Sequence, residues 1–138
     1  MLYGKVGTGK TTMMKALANL LRQNSGSYDV AYCTATSFVE QFTLLQEDKA
    51  SRYYDYAKAK VLCIDDLGSE PVRYINYGME RTPILDVLYH RYDMQQLTII
   101  SSNLEDQELR DRYGERFADR MAESYDRLYY SGESYRKR

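Results

Sequence analysis

A sandwich of helices packed on both faces of a mainly parallel five-stranded sheet is the fold class this sequence predicts. Three observations predict it. Short strand-like runs at 1–3, 29–34, 61–65, 97–101 and 127–130 alternate with stretches whose apolar residues recur at helical spacing. Val61-Leu62-Cys63-Ile64 is apolar without alternation, as a parallel strand covered on both faces must be. A glycine-rich segment separates the first strand from the first helix.

Each element has its own signal. Met13, Met14, Leu17, Ala18, Leu20 and Leu21 make the apolar stripe of a first helix, which Asn24-Ser25-Gly26-Ser27 stops. After the strand at 29–34, Thr36 and Ser37 read as caps for a helix over 38–46. A polar, Tyr-rich segment at 47–60 reads as a second short helix, and 68–78 as a loop. Pro83 opens the next helix, where its missing N–H does no harm, with Leu85, Leu88, Tyr89 and Tyr92 as the apolar stripe. Helices at 106–113 and 115–124 precede the last strand. No repeat, low-complexity tract or linker interrupts residues 1–138, so one domain is expected.

Composition removes several functions. With 19 Lys+Arg against 20 Asp+Glu there is no global attraction to nucleic acid, so any such contact must come from a local patch. A single histidine, His90, cannot assemble a zinc site with Cys33 and Cys63, which read as small buried residues of a reducing compartment. No apolar run approaches the roughly 20 residues of a membrane helix. The glycine-rich loop begins almost at Met1, leaving no room for a leader, and a cytoplasmic protein is expected.

The chemistry is concentrated in two segments. Gly4-Lys5-Val6-Gly7-Thr8-Gly9-Lys10-Thr11-Thr12 fits the phosphate-loop pattern in full. Glycines let successive backbone N–H groups curl around one anion, and the following helix adds the positive end of its dipole. Lys10 would set a point charge on the β- and γ-phosphates of ATP, and Thr11 would offer its hydroxyl to Mg²⁺. The second segment, Val61-Leu62-Cys63-Ile64-Asp65-Asp66, puts two carboxylates at a strand end, expected beside the phosphate loop of an adjacent strand. Asp65 is the magnesium residue, acting through water because that ion keeps several of its waters. Asp66 is the candidate to orient and deprotonate attacking water.

The ordered set of the phosphate loop, Asp65-Asp66-Leu67-Gly68, Thr98-Ile99-Ile100-Ser101-Ser102-Asn103, Gly114-Glu115-Arg116-Phe117-Ala118-Asp119-Arg120-Met121 and Gly132-Glu133-Ser134-Tyr135-Arg136 resembles the AAA+ ATPase core of DnaC-type helicase loaders and the similar IstB transposition helpers. That resemblance, which covers nearly the whole chain, implies a P-loop NTPase of AAA+ type without a C-terminal lid domain. It implies hydrolysis of ATP to ADP and phosphate, slowed by aspartate at position 66, where the family often has glutamate. Asn103 matches the sensor that reaches the γ-phosphate or the lytic water. Arg120 falls on the family's arginine finger, supplied in trans within a homo-oligomer, with Arg116 as the neighbouring candidate; both can also pair with Glu115, Asp119 and Glu123 on a solvated helix face. Arg136 matches an arginine near the end of the core.

The same resemblance places an extra helix, associated with single-stranded DNA, at 49–60. Lys49, Arg52 and Lys58 would track phosphates while Tyr53 stacks on bases; the alternative is that Tyr54 and Ala57 face the sheet and the lysines solvate the outer face. The partners implied are ATP/ADP, single-stranded DNA, and a replicative helicase or transposase, with no membrane. The N-terminal partner-binding region of such loaders is expected to be missing. The leading function is a helicase-loader-like replication factor. An IstB-like helper, a nucleotide-gated DNA-binding adaptor without turnover, and a small-molecule kinase on the same loop stand as alternatives.

Overall fold

The computed structural model describes residues 1–25, 30–44, 49–76 and 79–135, and the side chains of all these except 25, 42–44, 49–52, 74–76 and 79–81. In chain order the elements are β1 (Leu2–Gly4), α1 (Lys10–Ser25), β2 (Val30–Thr34), α2 (Ala35–Leu44), α3 (Lys49–Lys58), β3 (Val61–Leu67), β4 (Tyr74–Asn76), β5 (Met79–Arg81), α4 (Pro83–Asp93), β6 (Leu97–Ser102), α5 (Asp106–Tyr113), α6 (Glu115–Ser124) and β7 (Leu128–Tyr130). Five strands form one parallel sheet in the order β2-β3-β6-β1-β7. Helices cover both faces, and the sandwich around a five-stranded parallel sheet expected from the sequence is the fold found.

Period-two geometry sorts the central strand between two cores. Leu62 and Ile64 pack with Phe38 and Val39 of α2, Ala57 of α3, Ile84 and Val87 of α4, and Phe117 of α6. Val61 and Cys63 face the other way, onto Met14 and Ala18 of α1. Both cysteines are buried and free, as their apolar settings suggest. Among the described residues no helix is long and apolar enough to cross a membrane.

Several local readings need correction. The helix after β2 begins at Ala35, and its cap is Thr34 rather than Thr36 or Ser37. Thr34 Oγ1 accepts the Ser37 N–H at 3.0 Å while Ser37 Oγ accepts the Thr34 N–H at 3.1 Å, a reciprocal pair that satisfies two free donors at the helix start. Part of the 68–78 loop pairs instead in a small antiparallel ladder, Tyr74 opposite Arg81 and Asn76 opposite Met79. On α4 the buried set is Pro83, Ile84, Val87, Leu88 and Arg91, while Tyr89 and Tyr92 lie at its margin. Their aromatic bulk is used to hold arginines, as described below.

The sheet order also changes how the two acidic residues meet the phosphate loop. β3 is not the neighbour of β1; β6 lies between them. The register of β3 on β6 slips between Ile64 and Leu67, so that one extra β3 residue is accommodated where Asp65 and Asp66 stand. Asp66 takes the left-handed conformation there, with φ 61°. Such a bulge re-aims a side chain at the strand end, here toward the phosphate loop.

Gly4 ends β1 with φ 129°, and a Cβ built on it would sit 2.5 Å from the Tyr130 carbonyl oxygen of β7. Both the conformation and the backbone contact reject a side chain. Gly4→Ala is expected to lower stability by about 2–3 kcal/mol. Urea unfolding checks this; an unchanged midpoint contradicts it.

Candidate functional site: a phosphate-loop cleft

At the carboxyl ends of β1, β6 and β3 lies a cleft of about 720 Å³, open to solvent and lined by the 6–13 segment together with Asp66, Ser101, Asn103, Tyr130 and Tyr135. Its floor follows from local chemistry. Positive φ at Gly7 (83°) and Gly9 (94°) curls the loop, Thr8 Oγ1 closes it on the Lys5 carbonyl at 2.8 Å, and the Tyr135 N–H straps it through the Gly7 carbonyl at 3.0 Å. Lys10 is buried within this curl, its Nζ donating to the carbonyls of Gly4 (2.6 Å) and Lys5 (2.7 Å). Burial pulls its pKa down, opposed by the negative charges of Asp66 and then Asp65.

Asp65, 2% exposed, sits behind Thr11. One carboxylate oxygen accepts from Thr11 Oγ1 at 3.3 Å and from the Ser101 hydroxyl; the other accepts from Tyr32 at 2.9 Å. Burial first, and Asp65 second, push the Tyr32 phenol well up, so it stays a donor. Asp66 is more open. Its N–H donates to Ser101 Oγ at 2.9 Å and its carboxylate accepts from Asn103 Nδ2 at 2.6 Å. The inserted strand β6 therefore supplies the polar groups between the two acidic residues and the loop.

The structure thus gathers Lys10, Thr11, Asp65, Asp66 and Asn103 around one cleft, whose loop carries Lys5, Val6, Thr8 and Thr12 as well. It adds Tyr32 and Ser101, which the sequence reading did not single out. Ser101 ends the same apolar run that leads to Asn103, so its place beside β3 could have been found had the sheet order been known. Nothing local marks Tyr32.

Arg116 and Arg120 do not enter this cleft. Arg120 packs against α4, its guanidinium 4.8 Å from the Tyr89 ring and 4.5 Å from that of Tyr92, with Asp93 at 3.4 Å. Its ionic partner is therefore on the neighbouring helix and not Glu115, Asp119 or Glu123. Arg116 is exposed, 5.1 Å from the Tyr89 ring. Arg136 lies outside the described residues.

On α3 the facing differs from expectation. Tyr53 and Tyr56 pack against the core beside buried Ala57, because positions i, i+3 and i+4 share one face. Tyr53 is therefore turned inward, and Tyr54, 54% exposed with Lys58 Nζ 5.1 Å from its ring, is the outward aromatic. The side chains of Lys49 and Arg52 lie outside the described residues.

Comparison with known proteins agrees with the geometry. Residues 1–124 match the bacterial DnaA ATPase domain. The replicative helicase loader DnaI of Bacillus subtilis (strain 168) is 32% identical over 136 residues, taking in 94% of this chain and 42% of that protein. The crystal structure of the DnaC helicase loader superposes with a TM-score of 0.75 at 22% identity, over 94% of this chain and 76% of that one. Replication initiator DnaA bound to AMPPCP and single-stranded DNA gives 0.74 at 24% identity, over 96% and 40%. At such identities the structures speak for the fold, and the chain spans less than half of DnaI's length. The family match over residues 1–124 makes this chain a member of the bacterial DnaA ATPase-domain family.

Proposed function

We propose that this chain is the ATPase core of a helicase-loader-like DNA-replication factor, which binds ATP, hydrolyses it and assembles with further copies of itself on single-stranded DNA. The observation that carries the reading is the convergence of Lys10, the Thr11–Asp65 contact and the Asp66–Asn103 pair on one cleft. Lys10 binds the β- and γ-phosphates in place of the loop carbonyls it now touches. Asp66 takes the proton of the attacking water, and Asn103 holds Asp66 in the orientation to do so.

Magnesium fits the donor set. Thr11 and Asp65 offer a hydroxyl and a carboxylate, hard oxygen ligands, and Asp65 is buried deeply enough to act through Thr11 and water rather than as a direct cage. When bound, the ion would neutralise charge on the phosphate oxygens. Arg120, with Arg116 beside it, is assigned to a neighbouring copy's nucleotide. Its absence from the chain's own cleft and its fixed position on two tyrosine rings support that role. The names of the relatives support the partners: DnaI is a replicative helicase loader, and DnaA was solved with AMPPCP and single-stranded DNA. Two buried free thiols suit a cytoplasmic setting.

Lys10→Ala is expected to weaken Mg-ATP binding by about 100-fold, the loss of charge-assisted hydrogen bonds worth about 1.5–3 kcal/mol, read by calorimetry. A well-folded wild-type chain with no affinity for Mg-ATP would remove the basis of the whole proposal.

A further inference from the structure

Three residues beyond β3 a second carboxylate is buried that the chemistry above does not use. Glu70 is 1% exposed. One of its oxygens accepts the Gly68 N–H at 2.9 Å, and the other accepts the hydroxyl of Tyr113, the last residue of α5. Arg112 donates to the Glu70 carbonyl as well. A carboxylate is a costly group to bury, and an apolar side chain of that size would pack there more cheaply. Glu70 therefore has to be explained by what its two oxygens join.

On one side they join the catalytic turn. Gly68, at φ 105°, follows Asp66 by two residues, and the Ser69 N–H closes that turn on the Asp66 carbonyl at 3.1 Å. On the other side they join the elbow between α5 and α6, where Gly114 turns the chain at φ 89°. The Tyr113 ring rests on that of Phe117, centroids 4.8 Å apart, and Phe117 is buried in α6 between Arg116 and Arg120, which share the side of the helix turned to Tyr89 of α4. Burial, reinforced by Glu70, pushes the Tyr113 phenol well up, so it remains a proton donor to the carboxylate.

We propose that Glu70 is a positioning residue that fastens the Asp66 turn to the α5–α6 elbow, so that the state of the phosphate cleft and the placement of Arg116 and Arg120 are set together. The inference rests on the ATPase reading for its consequence, and on geometry alone for the tether. In an assembly, a shift of Asp66 toward nucleotide in one copy moves the arginine helix that the same copy presents to its neighbour. Glu70 touches no reacting atom and is not a catalytic residue.

Two variants separate tethering from packing. Glu70→Leu keeps the volume but removes both acceptors, leaving the Gly68 N–H and the Tyr113 hydroxyl unpaired, so its thermal midpoint falls and its kinetics are read well below that midpoint. Glu70→Gln keeps the tether, its amide oxygen accepting from Gly68 and its NH₂ donating to the Tyr113 oxygen. For Glu70→Leu, ATP affinity is expected to stay within about twofold while kcat falls about tenfold, the signature of a misplaced group rather than a lost ligand. Glu70→Gln restores most of the turnover. Without nucleotide, hydrogen exchange in Glu70→Leu is expected to quicken at Gly68 and Ser69 and at the elbow amides 113–116 together. Wild-type turnover in Glu70→Leu, or faster exchange on one side only, overturns the tether. So does a Glu70→Gln chain as impaired as Glu70→Leu, which would point to charge instead. A wild-type chain that binds no Mg-ATP overturns the ATPase reading, and the exchange comparison still judges the tether.

Discussion

Asp66→Asn is expected to bind Mg-ATP as tightly as the wild type and to turn it over about 10²–10⁴-fold more slowly, the usual worth of a positioned general base. The substitution is close to isosteric. The amide oxygen it introduces can still accept from Asn103 Nδ2, which lies 2.6 Å from the native carboxylate, and the backbone N–H still reaches Ser101 Oγ at 2.9 Å. What is lost is the capacity to take a proton. Binding is carried by Lys10 and the loop, which Asp66 touches only through its charge. Removing that charge takes away one of the influences that holds the Lys10 ammonium protonated, and Asp65 keeps the other. Single-turnover hydrolysis with protein in excess over ATP, single-stranded DNA present, separates the chemical step from product release. Turnover within about tenfold of the wild type, with binding intact, would show that another group activates the water.

The features legible in the sequence are those that depend on residues close in the chain. The α5 and α6 boundaries fall where expected because Gly114 must turn the chain and Glu108 returns to the Glu105 N–H at 2.8 Å. All five strands of the sheet are present because apolar runs of that length have few other uses. The order of those strands is another matter. That β6 separates β3 from β1 is decided by how whole units pack, and no local pattern announces it. Ser101, whose hydroxyl holds Asp65 from β6, is hidden from the sequence for that reason, while Tyr32 reaches Asp65 from β2 with no local signal to mark it. The inward face of α3 is hard to read because a one-residue difference in helical phase exchanges Tyr53 for Tyr54.

The chain carries 15 tyrosines and no tryptophan, an excess for which the structure gives a partial account. Tyr32 and Tyr113 donate to the buried carboxylates Asp65 and Glu70, Tyr89 and Tyr92 carry Arg120, and Tyr130 and Tyr135 line the cleft. In each case the residue combines apolar bulk with one polar edge at a boundary between core and charge.

Arg91 is the residue that hydropathy most misleads about, and its replacement is expected to have the largest effect on stability. It sits on the buried stripe of α4, fully enclosed. Its Nε donates to Thr98 Oγ1 at 2.9 Å, one terminal nitrogen donates to the carbonyls of Tyr56, Ala57 and Ala59, and the other to that of Leu97 at 2.7 Å. Three of these carbonyls belong to the end of α3 and the chain just beyond it, where helical acceptors have no partner of their own, and the positive charge meets the negative end of the helix dipole. Burial lowers the Arg91 pKa to about 10, which still leaves it charged at neutral pH. Arg91→Met keeps the stem and discards every donor, stranding the acceptors that the guanidinium now satisfies. With about 1–3 kcal/mol for each unsatisfied buried group, offset where the chain end can relax toward solvent, the net loss is about 3–4 kcal/mol. For a domain of this size that is a fall of roughly 10–15 °C in Tm. Arg91→Lys is expected to recover only part of it, because an ammonium cannot reach α3 and β6 at once as the planar fork does. Thermal melts of the two variants decide the matter: a Met variant within about 2 °C of the wild type would mean that α3 is held by Ala57 and its apolar neighbours, with the guanidinium a passenger.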